Sequence, residues 1–211
     1  MALPVAHSCF GLALGILRFV PQCGNLKEAL RLARAVRGKL FLCILIANAP
    51  DMDFIIGILT GSLNRFHQTG THTLAGILLI ALGLWLGGKY ARNNRSSFAV
   101  LASEDSARAS PVFAFWFVFI LLAGHLVIDI FTADTRRPIG LMLAWPFSKE
   151  YWHSAVSLFP APVKGKVMDM FALSNLKNAG WELLISLPFV FAALLSKVWK
   201  WPRRAEITGE H

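Results

Sequence analysis

Seven ionisable residues stand inside or at the edges of apolar stretches: His7, Asp51, Asp53, His67, His72, His125 and Asp129. Ionisable side chains are expensive in an apolar run and mark a functional site by default. Histidine and aspartate together suit Zn²⁺ or another divalent transition metal. A metal held this way activates water and polarises a phosphoryl or carbonyl oxygen. His125 and Asp129 lie four residues apart in GHLVID, so a helix stacks them on one face, one turn apart. That geometry suits two ligands of one ion, and equally a His–Asp hydrogen bond. Asp51 and Asp53 in APDMDF follow Pro50, which breaks the helix. One of them can cap the next helix while the other points into a cavity. Carboxylates this close repel unless a cation or a proton intervenes. His67 and His72 flank QTGT, a short turn into the next apolar run whose helix Thr71 or Thr73 can cap. His7 opens the first apolar run, and Glu150 and His153 in KEYWHS are remoter candidates.

The elements that position these residues are apolar runs at 8–20, 40–60, 74–88, 111–131 and 181–199. A full membrane crossing needs roughly 20 apolar residues, so the first and third runs tilt little, extend through polar ends, or cross only in part. The 40–60 run is interrupted at Pro50, Asp51 and Asp53, and a broken helix at membrane depth is tolerated where it lines a cavity. Ser110-Pro111 supplies a cap and a first-turn proline for the fourth run, and Pro188 predicts a kink in the last. Residues 26–39 alternate leucines with Lys27, Arg31, Arg34 and Arg37, which reads as a basic amphipathic helix on an anionic membrane surface. Residues 89–110 read as a flexible loop, 132–180 as short interfacial helices and loops, and 200–211 as a basic tail. Trp145, Trp152, Trp181, Trp199 and Trp201 read as interfacial anchors. The expected fold is all-α: one multi-pass helical membrane domain over residues 1–211, with about five membrane-embedded helices plus an amphipathic interfacial helix.

Composition agrees. Of 211 residues, 55% are hydrophobic and 16% charged, against a usual charged share of about 25%. Mean hydropathy is +0.55. These values exclude a disordered chain, a collagen-like chain and a small disulfide scaffold, and argue against an ordinary soluble enzyme. The net charge of +9 comes from 21 Lys+Arg against 12 Asp+Glu. In a membrane protein that excess marks cytoplasmic loops rather than nucleic-acid binding. Arg18, the 26–39 helix, the 89–110 loop and the C-terminal KVWKWPRR stretch together hold 14 of the 21 Lys+Arg. The positive-inside rule then puts the N-terminus outside and the C-terminus in the cytoplasm. The first run has no basic region before it and reads as retained rather than as a signal peptide. Cys9, Cys23 and Cys43 follow no metal-ligand spacing and read as small buried apolar residues. No Gly-rich phosphate loop and no G-x-S-x-G elbow is present, so a serine nucleophile has no support.

In this order, His7, PDMD at 50–53, HQTGTHT at 67–73, HLVID at 125–129 and WPF at 145–147 resemble the bacterial inner-membrane metal-dependent hydrolases also labelled LexA-binding or LexA-regulated. Gln68 and Thr69 depart from the Arg and Gly of that pattern. A fainter resemblance runs to the zinc-dependent phospholipase C and P1-type nuclease group, which implies phosphoester substrates and His7, Asp51, His72, His125 and Asp129 as metal ligands. The leading expectation is a multi-pass inner-membrane hydrolase acting on a phosphoester or lipid headgroup through a metal-activated water. Asp51, His72, His125 and Asp129 are its expected ligands of a divalent metal, Zn²⁺ first. His7 binds the same ion or a second one. Asp53 is a further ligand or the base that orients water, and His67 is a peripheral ligand or proton donor. Membrane lipids and a small-molecule or lipid phosphoester are the expected partners, with no nucleic acid. A transporter or ion-pathway protein, or a non-enzymatic stress-response membrane protein, is the alternative.

Overall fold

The computed structural model describes residues 2–59, 70–93, 111–135, 139–163 and 172–199. The described residues are helical wherever they are regular: α1 Pro4–Phe19, α2 Leu26–Ala35, α3 Arg37–Ala47, α4 Asp53–Leu59, α5 Leu74–Asn93, α6 Pro111–Ile130 and α7 Leu173–Val198. Short 3₁₀ turns at Ala49–Met52 and Gly70–His72 precede α4 and α5. The all-α expectation holds among these residues, which include no strand and only two isolated bridges, Thr132 with Phe159 and Leu141 with Trp152.

Local chemistry explains the breaks. Asn25 caps α2 by accepting from the Glu28 N–H at 2.9 Å, and Glu28 Oε2 accepts from Gly24 N–H at 3.0 Å. The pair resembles a capping box, with Glu28 reaching the N–H of the residue before the N-cap. The single 26–39 helix of the sequence reading is in fact two. Val36, at φ −101° and ψ 18°, ends α2, and Arg37 to Lys39 already belong to α3. The expected loop at 89–110 likewise starts late, because α5 runs to Asn93. Pro188 lies within a continuous α7. In the 132–180 stretch the described residues before α7 hold no helix. Ser110, the rest of the 89–110 loop and the 200–211 tail with Trp201 lie outside the described residues.

Helix α1 is central, between α3 and α7. One apolar cluster joins Cys9, Ala13 and Ile16 of α1 to Leu40 of α3 and to Val190 and Ala193 of α7. A second joins Cys43 and Ile46 of α3 to Ile77 of α5 and to Leu121, Leu122 and Leu126 of α6. Cys9 and Cys43 are buried as expected, whereas Cys23 is only half-buried, with its thiol beside the Asn25 and Lys197 carbonyls. Two glycines one turn apart let α1 and α3 approach closely. A Cβ on Gly11 would stand 2.7 Å from Cys43 O, and one on Gly15 would stand 3.0 Å from Leu40 Cδ2. Such small-residue contacts are the usual way helices pack tightly in lipid.

Only one stripe of α7 is buried, at Asn175, Glu182, Ser186, Val190 and Ala193. Leu184, Leu187, Phe189 and Phe191 are exposed, as are Phe41 of α3 and Leu79 of α5. An apolar surface of this extent requires an apolar surrounding. Helix α7 is long and apolar enough to cross a membrane, whereas the apolar parts of α1, α5 and α6 are shorter. Trp145, Trp152, Trp181 and Trp199 are exposed, consistent with interfacial placement.

Replacing Gly11 with Val is expected to lower the thermal unfolding temperature in detergent, at a cost of about 1–3 kcal/mol from overpacking. Gly83→Ala, where an added methyl meets no atom within 4 Å, is the control and is expected to cause no loss.

Candidate metal centre

The break at Pro50 creates one wall of the site. In an uninterrupted helix the Ala47 carbonyl would accept from Asp51 N–H. Here Asp51 N–H donates instead to Asn48 O at 3.1 Å, within the 3₁₀ turn. The freed Ala47 carbonyl accepts from His125 Nδ1 at 2.8 Å, from across the bundle on α6. A carbonyl only accepts, so the His125 proton sits on Nδ1 and Nε2 faces inward.

The same logic fixes His72. Its Nδ1 lies 3.0 Å from Thr71 Oγ1, and the Thr71 hydroxyl donates to Asp53 Oδ2 at 3.0 Å. Thr71 therefore accepts from Nδ1–H, and His72 also turns Nε2 inward. Asp53 Oδ2 is itself 3.4 Å from His72 Nδ1.

Four atoms thus converge: His72 Nε2, His125 Nε2, Asp51 Oδ1 and Asp129 Oδ2. His72 Nε2 lies 3.3 Å from His125 Nε2, and each is 3.3 Å from Asp51 Oδ1. Asp129 Oδ2 lies 3.4 Å from His125 Nε2 and 3.6 Å from His72 Nε2. Four ligands placed tetrahedrally about 2.0–2.1 Å from a zinc ion stand about 3.3–3.4 Å from one another. Two more observations fit a cation-binding site. Asp51 Oδ2 and Asp129 Oδ2 are buried without a hydrogen-bond partner among the described residues. Among those residues, no Lys or Arg pairs with Asp51 or Asp129 either.

His7 stacks on His125, ring centroids 3.7 Å apart at 16°. Its Nε2 is 3.4 Å from Asp129 Oδ1, within ion-pair range but not aligned as a hydrogen bond, and both its ring nitrogens lack a hydrogen-bond partner among the described residues. His7, Asp51 and His125 form one group spaced to hold an ion, and His72, His125 and Asp129 form another. All five residues expected as ligands are therefore brought together. His7, His72 and His125 are fully buried and Asp129 nearly so, whereas the Asp51 side chain is 10% exposed. Asp51 marks the accessible edge.

Asp53 stands behind the His72 ring, on its Nδ1 side, where it orients that ring as carboxylates commonly orient metal-binding histidines. His67 lies outside the described residues. His153 does not join the centre, because its Nε2 bonds the Thr132 carbonyl at 3.0 Å. Glu150 only receives a local turn, its N–H donating to Ser148 Oγ at 3.1 Å.

Sequence reasoning missed Glu182. This fully buried residue of α7 accepts from Leu3 N–H at 2.5 Å and Ala6 N–H at 3.1 Å. It caps α1, whose own N-cap Leu3 has no side chain for the task. Ala2 N–H in turn donates to Asp129 Oδ1 at 2.9 Å. A lone acid in the apolar 181–199 run was the available signal.

Residues 1–203 match the model of a family described as YdjM inner membrane protein. No curated protein and no solved structure matches the chain.

Glu182→Ala leaves two buried N–H groups unpaired, so it is expected to lower the thermal unfolding temperature by an amount equivalent to about 1–3 kcal/mol per group. Glu182→Gln keeps one acceptor oxygen and is expected to lose less. Melting of Glu182→Ala at the wild-type temperature would show that the cap carries no weight.

Proposed function

We propose that this chain, which belongs to the YdjM inner membrane protein family, is a multi-pass membrane hydrolase that holds a divalent metal, Zn²⁺ first, and acts on a phosphoester or lipid headgroup. The observation that carries the reading is that a carboxylate oxygen of Asp51 and one of Asp129 each lie 3.3–3.6 Å from Nε2 of both His72 and His125, with Asp51 Oδ2 and Asp129 Oδ2 lacking a hydrogen-bond partner among the described residues. When bound, a divalent cation supplies a Lewis acid and lowers the pKa of water. The chain's own residues do the rest. Ala47 O holds the His125 proton on Nδ1, and Thr71 with Asp53 holds the His72 proton on Nδ1, so both Nε2 lone pairs are presented to the centre. The buried surroundings exclude bulk water. The partly exposed Asp51 edge is where a substrate oxygen approaches. His7 extends the centre as a ligand of the same ion or of a second one.

In this reading α1, the broken α3–α4 pair, α5, α6 and α7 are the five membrane segments, with the N-terminus outside and the C-terminus in the cytoplasm. A second reading, ion or proton passage, is favoured by the Pro50 break beside buried titratable groups.

Metal analysis of the detergent-purified protein tests the main reading. Wild type is expected to retain at least about one divalent ion per chain, and His125→Ala and Asp129→Ala to fall towards zero. Equal, near-zero metal in all three would sink the metal claim. Phosphodiester hydrolysis is expected to stop with chelator and return with Zn²⁺; hydrolysis indifferent to chelator would sink the mechanism. Metal or proton flux in liposomes without hydrolysis would favour the second reading. A fluorescent reporter fused after the C-terminus that matures only in the cytoplasm is expected to be bright; a dark, intact fusion would reverse the topology.

A further inference from the structure

A groove of about 800 Å³ runs between α1, α6 and α7. On α6 its lining residues Ile120, Gly124 and Val127 recur at the spacing of one helix face, with Phe131 just past the helix end, and His125 and Asp129 stand on another face. The groove is therefore separate from the metal centre. Ser186 is the one polar residue among the 18 that line it. On α1 it extends from Ala6 to Leu17, about 16 Å at 1.5 Å per residue. Small residues at Ala13, Ala123, Gly124 and Ala192 keep the floor low, and the exposed Leu17, Ile120 and Phe189 form its rim.

At the Ala6 end the character changes. Leu158 and Phe159 line both this groove and a second cavity of about 540 Å³, which also presents Ser157, Lys177 and Asn178. Lys177 is exposed at the start of α7. Trp181 stands at the junction, its Nε1–H donating to Leu158 O at 3.0 Å. At the opposite end of the groove the nearby ammonium of Lys197 is already bonded to Leu17 O at 2.7 Å.

We propose that the two joined cavities bind one anionic glycerophospholipid, with an acyl chain along α1, α6 and α7 and the phosphate-bearing headgroup at Lys177. The apolar part is long and nearly devoid of hydrogen-bonding groups, as an alkyl chain requires. The contiguous part offers a cation and polar groups at one end only, which matches the single charged end of such a lipid. A membrane supplies this ligand at high local concentration. The site does not depend on the metal reading, and its test is independent of bound metal.

The full chain is reconstituted in phosphatidylcholine vesicles containing phosphatidylglycerol with a photoreactive diazirine on one acyl chain, and crosslinked peptides are mapped by mass spectrometry. Crosslinks are expected to concentrate at Phe10, Leu17 and Phe189. Ala192→Trp, which fills the groove from an exposed position of α7, is expected to remove most of them; Leu17→Trp, from the rim, serves if that variant is not monodisperse. Lys177→Glu is expected to reduce labelling by the phosphatidylglycerol probe about fivefold, while a phosphatidylcholine probe of the same chain changes little. Crosslinks spread evenly onto the exposed Phe41 and Leu79 and unmoved by either Trp variant would overturn the proposal. So would equal effects of Lys177→Glu on both probes, or chain-to-chain crosslinks at the groove in place of lipid, which would assign it to a second copy.

Discussion

Two imidazole lone pairs 3.3 Å apart, each 3.3–3.6 Å from a carboxylate oxygen of Asp51 and of Asp129, repel unless a positive charge lies among them. In water the repulsion would be screened and the oxygens hydrated. Here the groups are buried and no Lys or Arg of the described residues pairs with Asp51 or Asp129. The remaining solutions are protons on the histidines or a shared cation. Protonated Nε2–H groups would satisfy the carboxylates, but the separations of 3.3–3.6 Å exceed the usual 2.7–2.9 Å of charge-assisted hydrogen bonds. Those separations agree better with ligands spread around an ion.

The backbone enforces this convergence. Pro50 diverts the chain into a 3₁₀ turn, which frees the Ala47 carbonyl for His125 and swings Asp51 to the same point. Gly11 and Gly15 allow α1 to lie close on α3, which sets His7 against the His125 ring. The Gly70–His72 turn delivers His72 together with Thr71, its own orienting hydroxyl. Four separate stretches of chain therefore meet at one place, and each has an identifiable local reason for being there.

Much of this is legible in the residues themselves. GHLVID announces a stacked His–Asp pair because helical spacing alone determines it, and APDMDF announces a helix break because proline cannot donate. Less legible is which nitrogen faces the centre, since that depends on Ala47, 78 residues away from His125. The role of Asp53 is similarly hidden: spacing two residues from Asp51 says that it points elsewhere, but not that it reaches Nδ1 of His72 through Thr71. Glu182 is hidden for the same reason, because its partners are backbone amides 179 and 176 residues away and carry no side-chain signature. The division of 26–39 into two helices turns on Val36, where charge periodicity continues although the backbone does not.

Asp129 links the centre to the rest of the fold. Its Oδ2 faces His72 and His125, while its Oδ1 accepts from Ala2 N–H and faces His7. The N-terminal segment held by Asp129 is the same one that Glu182 of α7 caps. A cation drawing Asp129 towards the histidines would therefore act on a carboxylate that also secures α1, and α1 is the helix on which α3 and α7 both pack. One side chain thus faces both the candidate metal centre and the docked helix, so a cation bound there would contribute free energy to assembly of the bundle as well as to the site.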